Sequence, residues 1–190
     1  MGKFKAEETE KEAVRMVAAM MAASARTAPK TRGVDNMKTL LLDGDDIKAL
    51  ADAMEAKSKE EPVHLAPIFL RDAGNVRNSS AVLLIGVTGE PKKPEIPLDC
   101  GGCGYQTCER LIKAGRRPGK DFNGPVCIFE AMDLGIALGS AVKMASELNI
   151  DNRMMYTLGA TAQKMGLMDS DIVIGIPLSA TGKSIYFDRK

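Results

Sequence analysis

The placement of the four cysteines constrains this chain of 190 residues more than any other feature of its sequence. Their spacing is C-x2-C-x4-C-x18-C, with three in one short stretch and the fourth after a turn containing glycine and proline. The four residues are Cys100, Cys103, Cys108 and Cys127. An iron–sulfur cubane needs four thiolates that converge on its corners. The spacing therefore predicts a cluster-binding site.

The residues between these cysteines favour the same interpretation. Gly101, Gly102 and Gly104 lack a Cβ atom, so the loop can bend sharply and its N–H groups can point at a negatively charged cluster. Helix-forming residues follow directly, which predicts that Thr107 and Cys108 lie near a helix N-terminus. The helix dipole favours the thiolate form of a cysteine at that position.

Two other uses of four cysteines compete with a cluster. Structural zinc also takes four thiolates, but it usually pairs two similar C-x2-C knuckles, whereas here one close pair has an x4 partner and a distant fourth residue. Disulfides need an oxidising compartment. The apolar run at residues 17–25 follows an acidic segment and is not typical of a secretory signal. Zinc and disulfides are thus less favoured alternatives to the cluster, and four unrelated buried thiols are expected less still, because free cysteines have no reason to lie together among glycines.

The cysteine motif and its surroundings resemble known families. Residues 97–127 are similar to the four-cysteine [4Fe-4S] domain of electron-transport complex B subunits and of corrinoid iron–sulfur proteins. More of the chain resembles an uncharacterised family of ferredoxin-domain-containing proteins. That resemblance lies in Ala25-Arg26-Thr27-Ala28-Pro29-Lys30, Ile174-Gly175-Ile176-Pro177-Leu178-Ser179, Gly182-Lys183 and Phe187-Asp188-Arg189. It implies a family but supplies no reaction.

Hydrophobic periodicity predicts a mixture of helices and buried strands. Apolar residues recur at helical spacing over residues 14–25, and a long apolar helix is predicted over residues 128–148. Strands are predicted at 37–42, 81–87 and 171–176, the second covered on both faces. The charged run at 57–61 is expected to be the solvated end of a helix. We expect one α+β domain over residues 1–190, a three-layer sandwich with a cluster-binding insert at 91–127.

The order of these elements resembles a nitroreductase-like fold, in which two protomers usually share flavin sites. The resemblance implies a homodimer with FMN as a cofactor. It also implies that basic residues at the end of the first helix, and a basic pair near the C-terminus, surround the FMN phosphate. Those residues are Arg26, Lys30, Arg32, Lys183 and Arg189.

Charge and aromatic content limit the classes of partner. There are 26 basic and 25 acidic residues and only 4% aromatics, so neither nucleic acid nor an anionic membrane is expected as a partner. Gly135 and Gly139 form a G-x-x-x-G pattern in the long apolar helix. Because Glu130, Asp133 and Lys143 disfavour a bilayer span, the glycines are expected to allow close packing in a core or dimer.

Taken together, these observations predict a cytoplasmic redox protein that carries one [4Fe-4S] cluster on the four cysteines. With FMN, it would be a flavin-linked reductase. Its partner would be a redox protein or a small-molecule electron acceptor. Two alternatives stay open: a ferredoxin-like electron carrier without flavin, and a zinc-stabilised interaction module.

Overall fold

The computed structural model describes residues 3–187, which form six α-helices, one short 3-10 turn (Thr31–Gly33) and six strands. The helices are α1 (Ala6–Thr27), α2 (Gly44–Ser58), α3 (Ala66–Arg77), α4 (Cys108–Ala114), α5 (Ile128–Glu147) and α6 (Tyr156–Lys164). The strands are β1 (Met37–Leu42), β2 (Ala81–Val87), β3 (Arg117–Pro118), β4 (Asn123–Gly124), β5 (Asp151–Asn152) and β6 (Ile172–Ser179).

The main sheet has four strands in the order β1-β2-β6-β5, and every neighbouring pair is antiparallel. Its register defines two ends. At one end Val87 lies opposite Met37, and at the other end Ala81 lies opposite Leu178. The first of these ends is called the Val87 end below. The chain leaves the sheet there and continues into the cysteine segment, residues 91–127.

Helices cover both faces of the sheet. All seven residues of β2 are buried, as its continuous apolar run predicts. Leu83 and Ile85 pack with α1 and α5 on one face, whereas Val82 and Leu84 pack with α2, α3 and α6 on the other. Side chains alternate between the two faces of a strand, so one apolar strand serves both cores. The predicted three-layer α+β sandwich is confirmed.

The last strand is longer than the sequence predicts, and β5 was not predicted at all. Strand β6 continues through Pro177 to Ser179, and the short strand β5 pairs with its end at Asp151 and Asn152. A two-residue edge strand has too little apolar periodicity to be recognised in the sequence.

The prediction of a solvated charged run at 57–61 is wrong for Lys57 and Glu61, whereas Lys59 and Glu60 are exposed as expected. Lys57 and Glu61 are buried and lie 2.8 Å apart, and Lys57 also contacts Asp121 at 2.8 Å. Lys120 pairs with Glu61 from the same distant segment. These ion pairs tie α2 to the loop between β3 and β4. Their partners lie about sixty residues apart in the sequence, so the charge pattern of the helix alone cannot reveal them.

The two glycines of the G-x-x-x-G pattern lie on the exposed side of α5. A Cβ atom at Gly135 or Gly139 would meet no heavy atom within 4 Å. They therefore contribute no close packing to the core of this chain. The expectation that these glycines allow close packing in the core is wrong. Within residues 3–187, no helix is both long and apolar enough to cross a membrane.

Candidate metal centre

The cysteine segment begins and ends beside the Val87 end of the sheet. It leaves after β2 and returns at Cys127, the residue that precedes α5. The N–H of Cys127 donates to the carbonyl oxygen of Gly89 at 2.8 Å. The fourth cysteine is therefore fixed to the sheet core, whereas Cys100 and Cys103 lie on a loop and Cys108 begins the helix that follows it.

That loop has the backbone bends that the glycines predicted. Gly101 and Gly104 have positive φ angles of 73° and 86°, in the left-handed region where a Cβ atom is unfavourable. Gly102 serves close packing instead, because a Cβ there would lie 2.8 Å from a side-chain carbon of Ile128 in the first turn of α5. The loop consequently lies directly against the helix that follows Cys127.

Cys108 is the first residue of α4, so the prediction of a helix start at this cysteine is confirmed. The Thr107 side chain accepts a hydrogen bond from the N–H of Arg110 at 3.3 Å and caps the helix. The N–H of Cys108 donates to a side-chain oxygen of Asp99 at 2.7 Å. Both contacts hold Cys108 at a fixed position relative to the glycine loop.

All four cysteines line one cavity, and none forms a disulfide. Cys127 is buried, Cys103 and Cys108 are half-buried, and Cys100 is exposed. Apolar side chains complete the walls, namely Pro91, Leu98, Leu111 and Phe129. Across residues 3–187, no three His, Cys, Asp or Glu side chains are grouped as a single metal ion requires.

The protonation of Cys127 depends on its burial. Burial raises the pKa of its thiol, and the N–H groups of Phe129 and Glu130 oppose that rise only in part by hydrogen bonding to the sulfur. A metal-bound sulfur is deprotonated because the cation compensates the lost solvation of the thiolate. The donor set and its surroundings therefore fit a thiolate-bound metal group.

A buried charged cluster, formed by Lys92, Glu130 and Asp133, adjoins this cavity. Lys92 is one of the residues that line the cavity, and its Nζ donates to the carbonyl oxygen of Val34 at 2.8 Å and pairs with Asp133. Asp133 also accepts hydrogen bonds from the backbone N–H and the hydroxyl of Thr31, each at 2.9 Å to one of its oxygens. The 3-10 turn is thus joined to α5.

Glu130 is the least solvated member of this charged cluster. Its side chain is fully buried, and Oε1 accepts a hydrogen bond from Asn36 at 2.6 Å. Oε2 has no hydrogen-bond partner and lies 3.7 Å from Nζ of Lys92. Burial raises the pKa of Glu130 to about 7, while Asn36 and Lys92 limit the increase.

Sequence reasoning missed the part of this site that carries charge. It used Glu130 and Asp133 only as evidence against a membrane helix, and it assigned no role to Lys92. Their spacing of three residues in the otherwise apolar start of α5 was an available signal, because carboxylates in such a helix need buried partners.

The predicted FMN residues of the first helix lie at the Val87 end, but their polar groups have partners within the chain. Arg26 donates to Asp35 at 2.6 Å and to the carbonyl of Met37 at 2.8 Å. Lys30 donates to three carbonyl oxygens near the end of α1, between 2.6 and 3.2 Å. Arg32 donates to the carbonyl of Ile96 in the cysteine segment.

Lys183 lies elsewhere. It is exposed and follows β6, which ends beside Ala81 at the end of the sheet opposite Met37. Arg189, its predicted partner, lies outside the described residues. A single chain therefore brings Arg26, Lys30 and Arg32 into one region but does not bring Lys183 to them.

The sequence is similar to an uncharacterized protein of Archaeoglobus fulgidus. The two are 46% identical over 178 residues, which is 94% of this chain and 92% of the other. A family model described as "Uncharacterized protein containing a ferredoxin domain (DUF2148)" matches residues 123–189. That match includes Cys127 and the strand β6.

Several solved structures have a fold similar to that of this chain. A nitroreductase with bound FMN from Bacteroides fragilis matches with a TM-score of 0.58 and 10% identity, over 100% of this chain and 84% of that one. Nitroreductase A from Vibrio parahaemolyticus matches with a TM-score of 0.53 and 9% identity, over 90% of this chain and 60% of that one. The chain thus spans about three fifths of the second protein. At these identities the likeness shows the fold alone, and the predicted nitroreductase-like fold is confirmed.

Proposed function

The chain belongs to the family of uncharacterised proteins that contain a ferredoxin domain, and from that premise we propose that it is an iron–sulfur redox protein. One [4Fe-4S] cluster would be held by Cys100, Cys103, Cys108 and Cys127. When bound, such a cluster accepts and donates single electrons.

The observation that carries this proposal is the shared cavity of the four thiols. They line one space with apolar walls, and three of them come from one short stretch whose C-x2-C-x4-C spacing differs from that of paired zinc knuckles. A four-iron cluster takes one thiolate at each corner. The motif and its shared cavity therefore favour a cluster over the zinc-stabilised module.

The residues around the cavity give access on one side and exclude water on the other. Cys100 is exposed, and Leu98 beside it is half exposed, so an electron can be exchanged at this surface with a one-electron donor or acceptor. Leu111 and Cys127 close the inner side. A redox protein or a small electron acceptor would therefore approach from the Cys100 side.

The direct test is iron and acid-labile sulfide content after purification without oxygen, together with absorbance before and after dithionite. We expect broad brown absorbance that bleaches on reduction. Cys103→Ser should lose it, whereas Gln106→Ser, an exposed position in the same loop, should keep it. A colourless wild-type protein containing zinc, or full iron and sulfide in Cys103→Ser, would contradict the proposal.

A flavin-linked reductase is a second candidate, favoured by the likeness to a nitroreductase with bound FMN. In one chain the charged groups of Arg26, Lys30 and Arg32 are already hydrogen-bonded. Binding of FMN would therefore require either that these side chains rearrange or that a second copy of the chain supplies phosphate-binding groups. Resolved flavin bands in the absorbance spectrum of the purified protein would support this candidate. Brown absorbance without them would favour a plain electron carrier.

We also propose that the exposed face of α5 pairs with a second copy of the chain. Met132 and Ile136 are 53% and 43% exposed there, next to Gly135 and Gly139. Exposed apolar side chains mark an interaction surface, and glycines beside them let two helices approach closely. This face would form the homodimer that the fold resemblance implies.

A further inference from the structure

We propose that Lys92 sets the reduction potential of the proposed cluster by holding a buried positive charge in the wall of the cysteine cavity. This inference rests on the proposed function, because it requires a cluster on the four cysteines. Its role is electrostatic: the Lys92 ammonium stabilises the negative charge that arrives with one electron from a low-potential donor.

The position of Lys92 is fixed by its partners. Its side chain is only 2% exposed, and the residue is one of those that line the same cavity as the four thiols. Nζ donates to the carbonyl oxygen of Val34 and pairs with Asp133, whose oxygens are also held by Thr31. Contacts from the 3-10 turn with its C-cap residue and from α5 therefore hold the ammonium in one position.

Burial makes this charge effective. A charge in water is screened by solvent and salt, whereas a charge inside the protein acts on its neighbours through a medium of lower dielectric constant. Lys93, the next residue, is exposed. The chain thus offers two adjacent lysines, of which only the buried one is expected to influence the cluster strongly.

The charged groups around Lys92 determine whether each substitution raises or lowers the reduction potential. Two carboxylates, Asp133 and Glu130, face the ammonium. Removing Lys92 makes the surroundings of the cavity more negative and disfavours reduction. Removing the charge of Asp133 leaves Lys92 less compensated and favours reduction. Removing both restores the original balance of charge.

The experiment is a redox titration of anaerobically purified protein, followed by absorbance with dithionite as the reductant. Lys92→Met is expected to lower the ratio of reduced to oxidised cluster at least tenfold at a fixed potential. For a one-electron couple this is a midpoint about 59 mV lower. Lys93→Met is the matched control and should leave the midpoint unchanged.

Two further variants guard against a folding defect. Asp133→Asn should raise the midpoint, and the double variant Lys92→Met with Asp133→Asn should return it close to the wild-type value. If Lys92→Met does not fold or does not retain iron, the double variant is compared with Asp133→Asn, from which it differs only at position 92. A lower midpoint in the double variant supports the inference, and equal midpoints overturn it.

Iron and sulfide content distinguishes this inference from the proposed function. A wild-type protein without iron and sulfide overturns the proposed function and the role of Lys92 with it. Full iron and sulfide in Lys92→Met, with the same midpoint as Lys93→Met, overturns the role of Lys92 alone. A merely structural role would change the amount of cluster without changing its midpoint.

Discussion

The backbone N–H of Cys127 donates to the carbonyl oxygen of Gly89 at 2.8 Å, which joins the fourth cysteine to the end of the central strand β2. Because Cys127 also precedes α5, one residue connects the cavity to both the sheet and a core helix. The glycine loop that carries Cys100 and Cys103 packs against Ile128, the residue after this fixed point.

The close approach at Gly89 predicts the effect of adding a single methyl group. A Cβ atom there would lie 2.9 Å from Cγ2 and 3.2 Å from Cα of Val126, the residue before Cys127. We expect Gly89→Ala to lower the free energy of unfolding by about 1–3 kcal/mol and to reduce iron retention, because overpacking shifts the backbone at the fourth ligand. Urea unfolding and iron analysis check both effects.

Gly74→Ala provides the control for that substitution. Gly74 lies within α3, and a Cβ there would meet nothing within 4 Å. We expect it to be neutral or stabilising by up to about 1 kcal/mol, because alanine is the better helix former. Equal stability and iron content in Gly89→Ala and Gly74→Ala would contradict the importance of the approach at Gly89.

Glu130 predicts a dependence of stability on pH. Burial raises its pKa from 4.5 to about 7, so the folded state retains a proton that the unfolded state loses. Its contribution to stability therefore falls as pH rises from about 4.5 to about 7 and is constant outside this range. The total loss is on the order of 3 kcal/mol.

The check is urea unfolding of the wild type and Glu130→Gln between about pH 5 and about pH 8, since the other carboxylates contribute equally to both proteins. Glutamine can keep the hydrogen bond from Asn36 without a titrating carboxyl. We expect Glu130→Gln to gain stability relative to the wild type as pH rises. A difference independent of pH would contradict the raised pKa.

The buried ion pairs of Lys57 predict a large cost when this cation is removed. Lys57→Met would leave Asp121 without its cation and Glu61 with only Lys120. We expect a loss of about 3–5 kcal/mol in the free energy of unfolding, since an uncompensated buried charge is expensive. Lys113→Met, which breaks an exposed pair with Glu109, should have little effect on the free energy of unfolding, because solvent screens that pair. Comparable losses in the two variants would refute this difference.

The proposed dimer face predicts a change in oligomeric state. Ile136→Glu places a charge on the exposed side of α5 and should convert a dimer to a monomer, because the carboxylate would be buried without a partner. Light scattering after size-exclusion chromatography measures this mass. Val63→Glu, at a position 91% exposed and outside α5, should remain dimeric. A wild-type monomer would contradict the proposed dimer.

Much of the fold could be predicted because its signals are local. The helical spacing of apolar residues in α1 predicts that one face of this helix is buried. The continuous apolar run of β2 predicts a strand covered on both faces. Two of the glycines between the first cysteines were assigned the correct backbone bend, since positive φ is a property of one residue. The short strand β5 was missed because two residues show no periodicity.

The sequence by itself determined that four thiols with this spacing belong to one site in an α+β domain, because spacing and periodicity are written in consecutive residues. Only the tertiary structure decided which charges meet there. Lys92 and Asp133 are 41 residues apart, and Lys57 and Asp121 are further apart still. Contacts between distant segments depend on how helices and sheet pack, so the charge that adjoins the cysteines became visible only in the folded chain.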